Sequence, residues 1–274
     1  MRDVQRKLVR LQEYLQELGS VAVAFSGGVD STFLLHVAHE TLMDKCVAFT
    51  AGSVFVPERD VIEASAFAQT EGVRHIIKRF DVLALDGIRM NPQDRCYRCK
   101  HALFSQFKEL AGQEGLAFVV DGSNLDDDGD YRPGRRALME LDIKSPLYHA
   151  GMTKQDIRDL SEEMGLRTWN KPSFACLASR FVYGEELTAE KLDAVNQAEE
   201  YLMSRGLRQF RVRRHGDLAR IELLPEDIAR FMEQNVREEI AEKFQSFGFA
   251  YITMDLRGYR TGSMNEVLKS EEEP

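Results

Sequence analysis

The sequence predicts an α/β protein, a doubly wound parallel sheet followed by a smaller C-terminal α+β domain. Through roughly the first two thirds of the 274 residues, short apolar runs alternate with stretches of helical spacing, which is typical of a parallel sheet covered by helices. Beyond residue 184 the pattern changes to a hairpin and its flanking helices. We expect a first domain over 1–184, an α+β domain over 185–266 that serves substrate binding or oligomerisation, and a disordered tail over 267–274.

Periodicity and turn residues predict the elements in order. Leucines at helical spacing up to Leu18 predict a first helix that ends at Gly19 and covers one face of the sheet. Parallel strands are expected at 21–25, 46–50, 73–77 and 116–120, with helices at 33–38, 57–69, 102–110 and 153–164, the last one capped by Thr153. In the second domain we expect a helix at 192–202, a hairpin of strands 210–215 and 218–223, a helix from Pro225 and a final strand at 250–254.

The composition is that of an ordinary globular protein, with 43% hydrophobic and 30% charged residues. No apolar run is long enough to span a membrane and no signal peptide opens the chain, so we expect a cytoplasmic protein without a membrane partner. The net charge of −9 disfavours a large nucleic-acid interface, and we expect no nucleic-acid partner. Four cysteines in such a chain indicate a metal site or catalysis rather than disulfides, with Cys46 as a core residue of a strand.

The stretch between the first strand and the next helix has the composition of a phosphate-binding loop. Its two glycines allow the backbone to approach an anion closely, and its hydroxyls lie beside the positive end of a helix dipole. The candidate residues are Ser26, Gly27, Gly28, Asp30, Ser31 and Thr32. A Walker loop would end in Gly-Lys-Ser/Thr and a Rossmann turn would read G-x-G-x-x-G, and this stretch has neither pattern.

The loop reads S-G-G-V-D-S and resembles the pyrophosphate loop of the PP-loop ATP pyrophosphatases, whose fold is like that of the adenine nucleotide alpha hydrolases. This resemblance implies cleavage of ATP between its α and β phosphates, with a substrate oxygen activated as its adenylate. The stretch D-G-S-N-L-D-D resembles a segment near the nucleotide and its metal in several of these enzymes. It implies that Gly122 contacts the nucleotide and that Asp30, with Asp126 or Asp127, binds Mg²⁺. On composition alone, the same aspartates fit a solvated acidic loop.

The cysteines allow several interpretations. Cys96 and Cys99 form a C-x-x-C pair, and Cys176 lies far away in the sequence. The pair fits a redox dithiol, half of a zinc site completed by Cys176 and His101, or iron–sulfur ligands. Three cysteines suit a [4Fe–4S] cluster with one iron left open for a sulfide or a substrate. A further interpretation is that these cysteines are ordinary thiols without a role in metal binding or catalysis.

Taken together, the motifs resemble the LarE-type ATP-dependent sulfur transferases, which make the organic part of the nickel-pincer nucleotide cofactor of lactate racemase. The resemblance extends from residue 18 to residue 265 and adds Y-R-P-G, W-N-K-P-S-x-x-C-L-A-S-R and R-V-R-x-H…A-R-I-E-L to the first two motifs. It implies that ATP adenylates a carboxylate of a pyridinium dicarboxylate mononucleotide. A sulfur nucleophile then displaces AMP and leaves a thiocarboxylate. It also implies a homo-oligomer.

The resemblance implies two routes for the sulfur. In one branch of the family, the cysteine that matches Cys176 gives up its own sulfur. In another branch, three cysteines hold a [4Fe–4S] cluster whose open iron holds the donated sulfide. The C-Y-R-C pair fits the second branch, so Cys96, Cys99 and Cys176 are the expected cluster ligands, and a sulfide donor is a possible partner.

Several charged residues are candidates for the substrate. Arg180 is suited to support the Cys176 thiolate or the carboxylate. Arg211 and Arg213 alternate on a strand, so both can face one side and bind a phosphate. The alternative is that they form a solvated strand face and pair with acids such as Glu222. Glu199 and Glu222 match the family's substrate and metal region, which makes them Mg²⁺ candidates. Lys100 is suited to neutralise pyrophosphate, or is simply exposed.

Three other functions fit parts of the sequence. A PP-loop tRNA thiolase also combines this loop with cysteines, but the acidic charge and the lack of an appended RNA-binding module count against it. An amide-forming synthetase that uses ammonia also fits the loop, but in that function the three cysteines would have no role. A zinc-stabilised nucleotide-binding module would bind ATP and zinc and release no pyrophosphate.

Overall fold

The structure, a computed structural model, describes residues 2–129, 133–172, 175–260 and 262–263. The chain forms two compact units. The first comprises Met1–Asp81 and Asp94–Phe174, and the second comprises Val82–Gln93 and Ala175–Pro274. Three parts of the predictions lie outside the described residues: the tail at 267–274, the first half of the Y-R-P-G motif at 131–132, and residues 173–174.

The first unit is built on a four-stranded parallel sheet, as predicted. Its strands are β1 (Val21–Ala24), β2 (Cys46–Gly52), β3 (Arg74–Arg79) and β4 (Phe118–Val120), in the order β3-β2-β1-β4. The register places Val21 opposite both Cys46 and Phe118. A parallel bridge between Val120 and Lys144 extends the edge beyond β4. The turn after β1 is therefore near the middle of the carboxyl edge, where ligands of such sheets bind.

Helices cover both faces of this sheet. They are α1 (Asp3–Leu18), α2 (Val29–Leu42), α3 (Glu58–Thr70), α4 (Arg95–Gln113), α5 (Gly134–Glu140), α6 (Pro146–His149) and α7 (Lys154–Glu163). One core cluster joins Leu11 and Leu15 of α1 to Val21 and Val23, as expected for a helix on one sheet face. A second cluster joins Phe104 and Phe107 of α4 to strand residues that point to the other face, namely Ala22, Val47 and Phe49. The sheet is doubly wound because helices pack on both of its faces, to which successive strand residues point in alternation.

The second unit has α8 (Ala189–Ser204), β5 (Phe210–His215), β6 (Leu218–Leu223), α9 (Pro225–Phe231), α10 (Gln234–Ser246) and β7 (Tyr251–Met254). β5 and β6 form the predicted hairpin, and β7 pairs with β6 in parallel. The buried Asn91 ties the segment Val82–Gln93 to this unit, because its amide donates to the carbonyls of Phe181 (3.2 Å) and Val182 (2.7 Å). Within the described ranges, no helix has the length and apolar character that a membrane crossing requires.

Candidate functional site

The turn between β1 and α2 leaves backbone N–H groups available to an anion. Gly27 has a φ of +69°, in the left-handed region that favours glycine. Gly28 is the N-cap of α2, and no side chain in the described part of the chain caps this helix. The N–H groups of a first helical turn have no partner within their own helix. The turn therefore offers donors next to the positive end of the α2 dipole.

The hydroxyls of the loop are partly used within it. The Ser31 hydroxyl donates to the Gly28 carbonyl (3.2 Å) and lies 3.2 Å from the Ser26 hydroxyl. Two other oxygens at the start of α2 are buried but form no such bond. Oγ1 of Thr32 and Oδ1 of Asp30 have no hydrogen-bond partner among the described residues. Because buried polar atoms are nearly always paired, these two indicate the place of a ligand, an ion or a water.

Two lysines from distant parts of the chain reach this loop. Lys154, at the start of α7, forms an ion pair with Asp30. The ammonium of Lys171 donates to the Gly27 carbonyl (3.1 Å) and to Glu63 (2.8 Å). They lie 124 and 144 residues away from the loop residues that they contact, so no local pattern predicts either of them.

The segment after β4 lies against the loop. A Cβ added to Gly122 would lie 3.1 Å from the Ser31 nitrogen and 3.3 Å from the Asp30 Cβ, so only glycine fits here without a shift. The nearby carboxylates order backbone turns: Asp126 accepts from the Lys154 N–H (2.8 Å) and Asp127 accepts from the Asn124 N–H (3.0 Å). Their role toward Mg²⁺ stays a prediction.

Cys96 and Cys99 lie in the first two turns of α4, which begins at Arg95 rather than at the predicted residue 102. Residues three apart share a helix face, so both partly exposed thiols point to the same side. The Arg95 guanidinium lies 3.5 Å from the Cys96 sulfur. The side-chain stem of Lys100 packs where α5 begins, 2.7 Å from the position of a Cβ built on Gly134. Its role toward pyrophosphate stays a prediction.

The expected third cluster ligand belongs to the second unit. Cys176 is partly exposed and directly precedes a short 3₁₀ turn, Leu177–Arg180. Across the described residues, no three His, Cys, Asp or Glu side chains form a group that can hold a metal ion. The C-x-x-C pair, with two thiols on one face, fits two ligands of a cluster or of zinc.

Arg180 and Glu199 form a buried ion pair next to Cys176. The guanidinium donates to both carboxylate oxygens (2.8 and 3.0 Å) and to the Ala175 carbonyl (3.0 Å). Burial alone would raise the pKa of Glu199, but the charge and hydrogen bonds of Arg180 hold that pKa below its usual value. Glu199 also accepts from the Val212 N–H (3.1 Å). Its oxygens are therefore occupied, which does not favour the predicted Mg²⁺ role.

The predicted arginine face of β5 is buried rather than solvated. Arg213 pairs with Glu222 through two bonds (3.1 and 3.0 Å), so the acid pairing considered as an alternative is present. Glu222 accepts further bonds from Arg220 and Ser263, both 3.0 Å, and is likewise occupied. Arg211 lies over the Tyr259 ring, and burial together with the positive charge of Arg180 lowers the pKa of Arg211 to about 10. Among the described residues of this unit, more arginines than carboxylates are buried, a setting that an anion would stabilise.

The parallel sheet and its S-G-G-V-D-S turn define a PP-loop protein. A partial similarity fits that class: the chain is 26% identical over 163 residues to the argininosuccinate synthase of Natronomonas pharaonis, covering 56% of this chain and 40% of that protein. No protein-family model matches the chain.

Similarity over nearly the whole length identifies the family. The chain is 38% identical over 269 residues to the pyridinium-3,5-bisthiocarboxylic acid mononucleotide synthase of Lactiplantibacillus plantarum, covering 98% of this chain and 97% of that protein. It is 42% identical over 265 residues to an uncharacterized protein of Synechocystis sp., covering 97% and 99%. The chain belongs to the LarE-type family of pyridinium-3,5-bisthiocarboxylic acid mononucleotide synthases.

Proposed function

We propose that this protein is an ATP-dependent sulfur transferase. It converts carboxylates of a pyridinium dicarboxylate mononucleotide into thiocarboxylates, for synthesis of a nickel-pincer cofactor in the cytoplasm. The similarity to the Lactiplantibacillus synthase supports the reaction class. One structural observation carries the nucleotide part: the start of α2 has no side-chain cap, and it bears two buried oxygens, on Asp30 and Thr32, that have no partner in the described chain.

The proposed reaction has two displacements. A substrate carboxylate oxygen attacks the α phosphorus of ATP, and pyrophosphate leaves with the electron pair of the broken P–O bond. A sulfur nucleophile then attacks the acyl carbon, and AMP leaves as its phosphate anion. Negative charge develops on both leaving groups, so N–H donors and cations at the loop accelerate these steps. Ser26, Gly27, Gly28, Ser31, Thr32, Gly122 and Lys100 are the proposed nucleotide contacts. The unpartnered oxygen of Asp30, with Asp126, fits one or two carboxylate ligands of Mg²⁺.

The sulfur source is the finer part of this proposal. Cys96 and Cys99 would hold two sites of a [4Fe–4S] cluster, and Cys176 would be the third ligand. When bound, such a cluster supplies an open iron that can hold sulfide. In the alternative route, the Cys176 thiolate displaces AMP from the acyl-adenylate and forms a thioester. Loss of the Cα proton then breaks the Cβ–S bond, which leaves the thiocarboxylate and a dehydroalanine in the chain. A thiolate is a strong nucleophile near neutral pH, so either route is chemically competent.

The second unit is the proposed place of the substrate phosphate. Arg211 and Arg213 share one face of β5, and burial together with the Arg180 charge makes the Arg211 cation less favourable. A phosphate next to these arginines would relieve that cost. We also propose that this unit supports a homo-oligomer, which size-exclusion chromatography with light scattering tests directly.

Metal analysis of the anaerobically purified protein tests the sulfur source. We expect about four irons and four sulfides per chain, with both lost in Cys96→Ala, Cys99→Ala and Cys176→Ala. An iron-free and zinc-free protein whose Cys176 loses the mass of H₂S after one turnover would instead establish the sacrificial route. Stoichiometric zinc, without pyrophosphate release from ATP and the mononucleotide, would overturn the proposal and indicate a binding module.

A further inference from the structure

Lys171 holds the backbone of the phosphate loop. Its ammonium donates to the Gly27 carbonyl (3.1 Å) and is anchored by Glu63 (2.8 Å). The Lys171 side chain is 24% exposed, whereas Glu63 is 60% exposed. The ammonium is thus partly withdrawn from water and directed at one backbone atom of the loop.

The backbone of Lys171 is itself fixed. Its N–H donates to the Thr168 carbonyl (2.9 Å), and its own carbonyl accepts from Arg158 of α7 (3.0 Å). Arg158 also donates to the Trp169 carbonyl (2.5 Å). One arginine therefore ties the turn that carries Lys171 to a helix of the same unit, and an ordered base makes a directed contact with the loop possible.

A hydrogen bond to the Gly27 carbonyl also fixes the direction of the Gly28 N–H group. The peptide between Gly27 and Gly28 is planar and trans, so its C=O and N–H groups point in opposite directions. Gly27 has φ +69° and Gly28 has no Cβ, so this peptide has few steric constraints on its orientation. An ammonium on the carbonyl selects the orientation in which the Gly28 N–H points away from Lys171. Successive N–H groups aimed at one place form an anion-binding concavity.

We propose that Lys171 is a positioning residue of the phosphate loop. By holding the Gly27 carbonyl, it aims the Gly28 N–H at the phosphates of a nucleoside triphosphate. The loop lacks the lysine of a Walker motif, and Lys171 supplies a positive charge next to it from another part of the chain. This inference rests on the proposed function, since it assumes that ATP binds at this loop.

Calorimetric titration of the full-length protein with ATP tests the proposal. Because bonds to charged groups are stronger than neutral ones, we expect Lys171→Met to raise the Kd for ATP about tenfold or more. Lys171→Arg keeps charge and donors and should recover most of the affinity. Glu63→Gln leaves the bond to Gly27 in place and should have a smaller effect. Lys144→Met is the matched control, because Lys144 is 26% exposed and pairs with an exposed carboxylate, Asp142, in the same unit.

A second measurement separates positioning from simple stabilisation. In an ¹⁵N-labelled, ATP-free protein, Lys171→Met should shift the Gly28 amide resonance, whereas Lys144→Met should not. In turnover, the KM for ATP should rise and that for the mononucleotide should stay unchanged. An unshifted Gly28 amide, or equal ATP affinity in wild type and Lys171→Met, would overturn the inference and leave the proposed function intact. If the wild-type protein binds no ATP, both this inference and the proposed function are wrong.

Discussion

Arg180 and Glu199 form a two-point ion pair, with N–O distances of 2.8 and 3.0 Å, and each side chain is only 1% exposed. Removing one partner of such a pair leaves a buried charge without its counterion. We expect Glu199→Gln to lower the free energy of unfolding by about 3–5 kcal/mol, measured by urea unfolding followed by circular dichroism. Glu163→Gln, which disrupts an exposed pair with Arg2, should change stability little. Equal effects of the two variants would contradict the structural role of Glu199.

The ion pair between Lys154 and Asp30 should affect nucleotide binding. In Lys154→Met, the Asp30 carboxylate keeps its charge and repels the polyphosphate. We expect the Kd for ATP to rise about tenfold in EDTA, in line with a lost charge pair of about 1.4 kcal/mol. Millimolar Mg²⁺ should reduce the difference, because the ion takes over the neutralisation of Asp30. A difference that Mg²⁺ leaves unchanged would count against Asp30 as a metal ligand.

The four thiols should separate into two classes. Cys96, Cys99 and Cys176 are partly exposed, whereas burial raises the pKa of the Cys46 thiol to about 12. Since the thiolate is the reactive form, we expect three thiols of the metal-free protein to react rapidly with a chromogenic disulfide. The fourth should react only after denaturation, and Cys46→Ala should remove that slow phase alone. Rapid modification of Cys46 in the folded protein would contradict this assignment.

Stability should fall as the pH drops below the ordinary histidine pKa of 6.5. Burial lowers the pKa of His75, which hydrogen-bonds Thr50 (2.8 Å), so in this pH range the unfolded chain binds a proton that the folded chain does not. Stability is therefore retained above pH 6.5 and decreases from there down to the lowered pKa of the folded state. His215, whose pKa is lowered in the same way, adds to the effect. The free energy of unfolding of His75→Gln should depend less on pH than that of wild type; equal slopes would rule out His75 as a contributor.

A side chain at Gly122 should displace the start of α2, because its Cβ would press on that backbone. The nearest atom is the Ser31 nitrogen at 3.1 Å, so Gly122→Ala should displace the loop and weaken ATP binding by about tenfold. Gly112→Ala is the matched control. Gly112 lies in α4, where the added carbon has no described atom within 4 Å apart from its chain neighbours and the backbone of its own helix. The change should stabilise the helix by up to about 1 kcal/mol. Unchanged ATP affinity in Gly122→Ala would place the nucleotide elsewhere.

Features with a strong local signal were predicted well from the sequence. The hairpin strands Phe210–His215 and Leu218–Leu223 match their predicted bounds, because alternating side chains and a Gly-Asp turn define both ends. Thr153 caps α7 through a reciprocal capping box with Asp156, as its position before an amphipathic stretch indicates. Cys46 lies in the core of a buried strand, as expected. By contrast, α4 extends seven residues further toward the N-terminus than predicted. The prediction missed this part because the polar residues around the C-x-x-C pair show no helical spacing of apolar residues.

In the candidate site, only the consecutive residues of the loop carry a local sequence signal. The S-G-G-V-D-S turn is visible as a string, and the chemistry of its glycines, serines and aspartate is what indicates an anion-binding loop. Lys154 and Lys171 reach the loop through the packing of α7 and the turn that follows it, which no local pattern contains. The same holds for Tyr259 and Ser263, which contact Arg211 and Arg213 from beyond β7. Long-range pairing of this kind depends on the whole fold.

The distance in sequence between the loop and its lysines has a consequence for biosynthesis. All four strands of the first sheet are complete by Val120, but Lys154 and Lys171 are synthesised later. At about 5–20 residues per second, the ribosome adds these two residues several seconds after the last strand. During that interval the nascent chain contains Asp30 without the Lys154 ammonium and Gly27 without the Lys171 ammonium. On the proposed function, the loop therefore becomes competent for ATP, and ATP can stabilise the domain by binding, only after the chain beyond α7 has emerged.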